Sequence, residues 1–99
     1  MALIRRIDNG SRGFYEATVD GEKAGKMTFH WLDDTTLIID HTGVNEAYNG
    51  LGIGRQLVMA AIEYARENDI FIIPHCPYAK SLFRKMEEIQ DVLYPDFKL

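Results

Sequence analysis

Apolar and polar positions alternate through the first half of the chain. In FYEATVD (14–20), Tyr15, Ala17 and Val19 fall on one face and Glu16 and Thr18 on the other, the period of a half-buried strand. Residues 23–32 repeat the pattern, with Met27, Phe29 and Trp31 opposite Lys26, Thr28 and His30. Asp20-Gly21 between them is a two-residue hairpin signal. Residues 3–8 read as a first strand and NGSRG (9–13) as the turn after it. Asp33-Asp34 turns the chain again, and TTLIIDHTGV (35–44), β-branched and apolar, reads as a fourth strand. This much is an antiparallel meander.

The period changes at residue 50. Ile53, Leu57, Ala61 and Ala65 recur every fourth residue, Val58 and Ile62 widen the stripe, and Arg55, Gln56, Glu63, Arg66 and Glu67 take the other side. That is an amphipathic helix of about 15 residues, with Asn68 as its stop. IFII (70–73) is a short buried strand. A helix joining two apolar strands predicts a βαβ crossover and makes those strands parallel. Pro74 ends the strand. Pro77 suits the first turn of a second helix, with Cys76 at its cap and Leu82, Phe83 and Met86 on its apolar side. The tail, IQDVLYPDFKL, reads as either an edge segment or loose chain. The fold class is therefore α/β (α+β): a mixed, mostly antiparallel sheet with one crossover and two main helices, in a single domain over residues 1–99.

Composition narrows the function. A net charge of -4 argues against nucleic acid or an anionic membrane as partner. The one cysteine excludes an internal disulfide framework and a Cys-rich zinc site, and fits a reducing, cytoplasmic setting. MALIRRIDNG lacks the long apolar region of a signal peptide, and no apolar run approaches the roughly 20 residues of a membrane span. His41, His75 and Cys76 lack the usual spacing of zinc ligands, so no metal is expected.

YNGLGIGRQL (48–57) carries the most information. Gly50, Gly52 and Gly54 lie between a strand and a helix. Absent side chains let a ligand approach the backbone, and the first amides of a helix point outward without partners, so the stretch can cradle phosphate. Arg55 adds positive charge in the first turn. A ligand-free turn is the plain alternative. A dinucleotide site needs G-x-G-x-x-G early in a doubly wound sheet, and a mononucleotide loop needs G-K-[ST]; neither is present.

The remaining reading is a coenzyme A pyrophosphate loop, and here the sequence resembles the GNAT superfamily of N-acetyltransferases. That family's signature, Gln/Arg-x-x-Gly-x-Gly/Ala, reads Asn49-Gly50-Leu51-Gly52-Ile53-Gly54 in this chain. Both required glycines match, and Asn49 replaces the leading residue. DHTGV, GLGIG and IPHCPYA in that order extend the resemblance over about residues 14–94 and liken the chain to a very small subgroup with a Cys-Pro-Tyr motif. The resemblance implies a sheet splayed between its fourth and fifth strands. Acetyl-CoA lies in the opening, its pantetheine against the fourth strand near Val44 and its pyrophosphate on residues 49–54. The elements that build an amine-acceptor site in larger members are missing. Where many members carry Asn-x-x-Ala-x-x-x-Tyr, this chain has Cys76, Ala79 and Phe83, and Phe83 has no proton to donate. The resemblance also places Tyr78 close to the coenzyme.

Cys76 is then the catalytic candidate. Thiolate is the nucleophilic form of cysteine and helix N-termini favour it. Such a thiolate can take an acetyl group and pass it on in two easier steps. Direct attack by the amine is the alternative, with a backbone amide near Val44 steadying the oxyanion in either route. The plain reading of Cys76 is a small buried hydrophobe. His41 shares the alternation of Leu37 and Ile39, which points it at a packed face as base or thiolate partner. His75 adjoins Cys76, but neighbours in an extended strand point apart. His30 falls on the solvated side, and Glu46 and Asp40 could attract a cationic amine. The resulting expectation is an N-acetyltransferase that moves an acetyl group from acetyl-CoA to an amine. Its alternatives are a non-catalytic acyl-CoA-binding module or a subunit completed by a protein partner.

Overall fold

The computed structural model describes residues 2–99. Its sheet has the order β1-β2-β3-β4-β5: β1 (Leu3–Asp8), β2 (Arg12–Val19), β3 (Glu22–Asp33), β4 (Thr36–Val44) and β5 (Phe71–Pro74). The first four strands pair antiparallel as a meander. Helix α1 (Ile53–Asn68) crosses over to β5, which pairs parallel with β4 from Thr36↔Phe71 to Ile39↔Pro74. Helix α2 (Pro77–Lys85) follows directly.

The β2–β3 hairpin turns through Asp20 at φ 52 and Gly21 at φ 82, the two positive angles that match a tight turn to strand twist. α1 begins at Ile53, the first residue of its apolar stripe, and Gly50 and Gly52 lie at positive φ outside the helix. It ends at Asn68, with Asp69 left-handed at φ 54 as C-cap. The tail forms a 3-10 helix over Glu87–Val92. Leu93 then bridges to Ile72, and the Tyr94 amide donates to the Ile72 carbonyl at 2.9 Å. Of the two readings of the tail, the edge segment is the one observed.

One core holds the layers together. Tyr15, Ala17, Met27, Phe29, Leu37 and Ile39 of the sheet meet Leu57, Val58, Ala61, Ile62 and Ala65 of α1, with Ala79 and Phe83 of α2 in the same cluster. Each large aliphatic or aromatic side chain so buried contributes about 1.5–3 kcal/mol. Among the described residues, no helix is long and apolar enough to cross a membrane.

Candidate active site

β4 and β5 separate beyond Ile39. The amides of His75 and Cys76 both donate to the Ile39 carbonyl at 3.1 Å, and this fork is the apex of a splay. Past it, β4 runs on to Val44 with no strand partner on that side among the described residues, while the other chain turns into α2.

The glycine loop forms one lip. Asn45 opens it, its side-chain oxygen accepting from the Ala47 amide at 3.2 Å. Gly52, left-handed at φ 75, is the N-cap of α1 and has no side chain to cap it. The first helical bond runs from the Gln56 amide to the Gly52 carbonyl at 3.0 Å. The amides of Ile53, Gly54 and Arg55 therefore face outward without intrahelical partners, at the positive end of the helix dipole. Arg55 and Leu51 are exposed beside them. Val44, Tyr48, Asn49, Gly50, Ile53 and Tyr78 line a depression of about 300 Å³ against this end.

Gly54 differs from Gly50 and Gly52 in its surroundings. It is buried at ordinary φ, and a Cβ there would stand 3.0 Å from two ring carbons of Tyr78 and 3.1 Å from its hydroxyl. The third glycine makes room for Tyr78. Burial raises the pKa of that phenol above the usual tyrosine value; Arg55 works against the rise and Cys76 adds to it. Tyr78 therefore keeps its proton at neutral pH.

Cys76 stands where its spacing predicts, as the N-cap of α2 with Pro77 in the first turn. It is buried, and its thiol donates to the Thr42 hydroxyl oxygen at 3.4 Å. His41 does not face it. On β3 one residue separates Phe29 from Met27, but on β4 two separate their partners, Ile39 and Thr42. This bulge at Asp40 reverses the alternation. His41 then pairs with Thr28 and is exposed, and Thr42 takes the inward place. The expected packed position of His41 is thus corrected, since simple alternation carries no sign of a bulge. His75 is exposed beside buried Cys76. His30 is not simply solvated: its Nδ1 lies 2.8 Å from Asp40 Oδ2. Phe83 is fully buried in the core. Among the described residues no cluster of three His, Cys, Asp or Glu side chains could hold a metal ion.

A family profile described as GCN5-related N-acetyl-transferase matches residues 14–92. The chain belongs to this family. A GCN5-like protein from Staphylococcus aureus, solved by NMR, is 31% identical with a TM-score of 0.72, over 93% of this chain and 87% of its own. A ribosomal-protein-alanine N-acetyltransferase from Brucella melitensis matches with a TM-score of 0.70 at 19% identity, over 92% of this chain and 68% of its own. A GNAT family acetyltransferase from Elizabethkingia anophelis, crystallised with acetyl-CoA bound, matches with a TM-score of 0.68 at 19% identity, over 85% and 73%. The last two likenesses are of fold. Comparison with curated proteins found no match. In this member of the GCN5-related family, alternation along the sequence missed Thr42 and the His30–Asp40 pair, because both depend on the bulge.

Proposed function

We propose that this protein binds acetyl-CoA in the splay between β4 and β5 and transfers its acetyl group to an amine. One observation carries the reading beyond family membership. The uncapped end of α1, the unpartnered edge of β4 and the Cys76–Tyr78 start of α2 converge on one splay. The donor set fits the ligand. Outward amides at the start of α1, with Asn49, Gly50, Leu51 and Arg55 around them, suit a pyrophosphate. A free strand edge ending near Val44 suits an extended, amide-bearing pantetheine. No metal enters the scheme. The Cys76-Pro77-Tyr78 run supports placing the chain in a small subgroup of its family, and a single thiol suits the cytoplasm.

Two routes suit these residues. In the first, Cys76 Sγ attacks the thioester carbon, the bond to the coenzyme sulfur breaks, and the acetyl group rests on Cys76 until an amine takes it. In the second, the amine attacks the thioester directly. Either route releases a thiolate that needs a proton. Tyr78 is the donor at hand, because Phe83 has no hydroxyl. His41 has no part in this scheme, since it turns away from Cys76.

A second reading, an acyl-CoA-binding module without turnover, is favoured by the seclusion of Cys76, which is 3% exposed. Intact mass after incubation with acetyl-CoA alone separates the readings. The two-step route gives an acetyl adduct on Cys76 that disappears when an amine is added. Transfer that survives Cys76→Ala leaves only the direct route. Coenzyme binding without adduct or turnover leaves the binding module. Absence of coenzyme binding would sink both readings.

A further inference from the structure

We propose that the free edge of β1 receives an extended segment of a partner protein, added to the sheet as a further strand, whose side chains alternate basic and aliphatic. β1 lies at the edge of the sheet opposite β5. This surface is therefore separate from the splay and does not rest on the acetyl-transfer reading.

β1 pairs with β2 along its whole length without a bulge, and among the described residues no strand lies on its other side. It contains no proline. The Asn9 amide donates to the Arg12 carbonyl at 3.0 Å, and bonded pairs alternate along an antiparallel ladder. Ile7, Arg5 and Leu3 therefore bond β2, and the amides and carbonyls of Ile4 and Arg6 face the open edge. Such an edge templates a further strand unless proline, a bulge or free charge blocks it. The two charges here are already engaged. Arg5 lies 3.0 Å from Glu16, and Arg6 lies 2.7 Å from Asp8 with its guanidinium 3.7 Å from the Tyr64 ring centroid.

The two sides of this edge differ in chemistry. On the sheet face away from α1, Leu3 and Ile7 are 76% and 42% exposed, and aliphatic side chains across from them cover both. On the other side a groove of about 580 Å³ runs between β1 and α1. Half-buried Met59 and Ala60 line it, with exposed Glu63 and Glu67 beside them. Neither carboxylate has an ion-pair partner among the described residues, since Arg66 on the same helix holds Asp91. Like charges four residues apart on a helix oppose each other, so a cation placed there is welcome. A lysine or arginine entering the groove lays its stem on Met59 and Ala60 and brings its charge to Glu63 and Glu67. A second copy paired through β1 brings its own Glu63 and Glu67 to the same side, so charge selects a basic partner instead.

A capped peptide of three Val-Lys repeats is the probe. Titrated into the labelled protein, it shifts the amide resonances of Ile4, Arg6, Met59 and Glu63 and leaves those of Gly50 and Gly52 in place. Replacing both carboxylates, Glu63→Gln with Glu67→Gln, weakens binding about tenfold and reduces its dependence on salt, while the remaining resonances stay as in the unaltered protein. N-methylation of one alternate set of peptide amides abolishes binding and of the other set leaves it, the signature of strand addition. A peptide of Val-Glu repeats does not bind. The inference is overturned by an absence of shifts along β1 and α1, by equal binding of the Val-Glu peptide, or by equal behaviour of the two N-methylated peptides. A protein that sediments as a dimer and is dissociated by the peptide also overturns it, because a second copy is then the occupant.

Discussion

Gly54 and Tyr78 show how one atom divides stability from function. An alanine side chain at 54 would meet the far edge of the Tyr78 ring at 3.0 Å, and that ring is partly exposed and able to swing away. Alanine also favours a helix over glycine by about 0.8–1 kcal/mol. Gly54→Ala should therefore leave the unfolding midpoint unchanged or slightly higher. Displacing Tyr78 should lower acetyl-CoA affinity and transfer about tenfold, measured by calorimetry and a coupled thiol assay. A fall in stability with unchanged binding would reverse this assignment. The glycine pattern was legible in the chain; that its third member also leaves room for Tyr78 was not, since the contact joins residues 24 positions apart. Phe83 makes the same point. Its place in the resemblance raised a question of chemistry, and its complete burial answers with packing.

Elements were legible wherever local pattern and local chemistry agree. The β2–β3 hairpin is a case, since Asp20-Gly21 supplies the positive φ its turn needs. Gly21 has open space around it at φ 82, so Gly21→Ala meets no clash and costs only backbone strain, about 1–2 kcal/mol. Thermal unfolding should show a midpoint lowered by about 4–8 °C per kcal/mol, with coenzyme binding at saturation unchanged. The Asp40 bulge is the opposite case. It inserts one residue on β4 against β3, which no composition or period along β4 announces, because Leu37, Ile38 and Ile39 are apolar on both faces. One unpaired residue moved His41 out, brought Thr42 to Cys76 and joined Asp40 to His30. On β4, the inward and outward facing read from alternation held up to Ile39 and failed at His41.

Across the whole molecule, ion pairs tie distant segments together. Arg66 on α1 holds Asp91 of the tail through two bonds of 3.0 and 2.8 Å and the Glu88 carbonyl at 2.7 Å. At the other end of the sheet, Asp8 accepts from the Gly10 amide, the Trp31 indole and Arg6. Burial works against the Asp8 charge, but these bonds outweigh it and hold the carboxyl below its ordinary range. Asp91 is lowered likewise, by Arg66. A carboxyl depressed in the folded state contributes stability above its unfolded value, near 4, and loses that contribution as pH falls through the folded one. Urea midpoints should thus hold from pH 7 to about 5 and fall toward pH 3. Asp8→Asn should cost about 1–2 kcal/mol at pH 7, and its deficit should narrow as acid protonates the native carboxyl. A deficit that stays constant with pH would show that the charge is not what matters.

By itself the sequence determined the order of strands and helices, the single core, the crossover, the helix cap at Cys76 and the family resemblance. These rest on periodicity, turn residues and short motifs, whose physics acts within a few neighbouring residues. Only the tertiary structure decided which side chains meet in the splay. That depends on register between strands far apart in the chain, and a one-residue bulge turns the side chains beyond it to the other face.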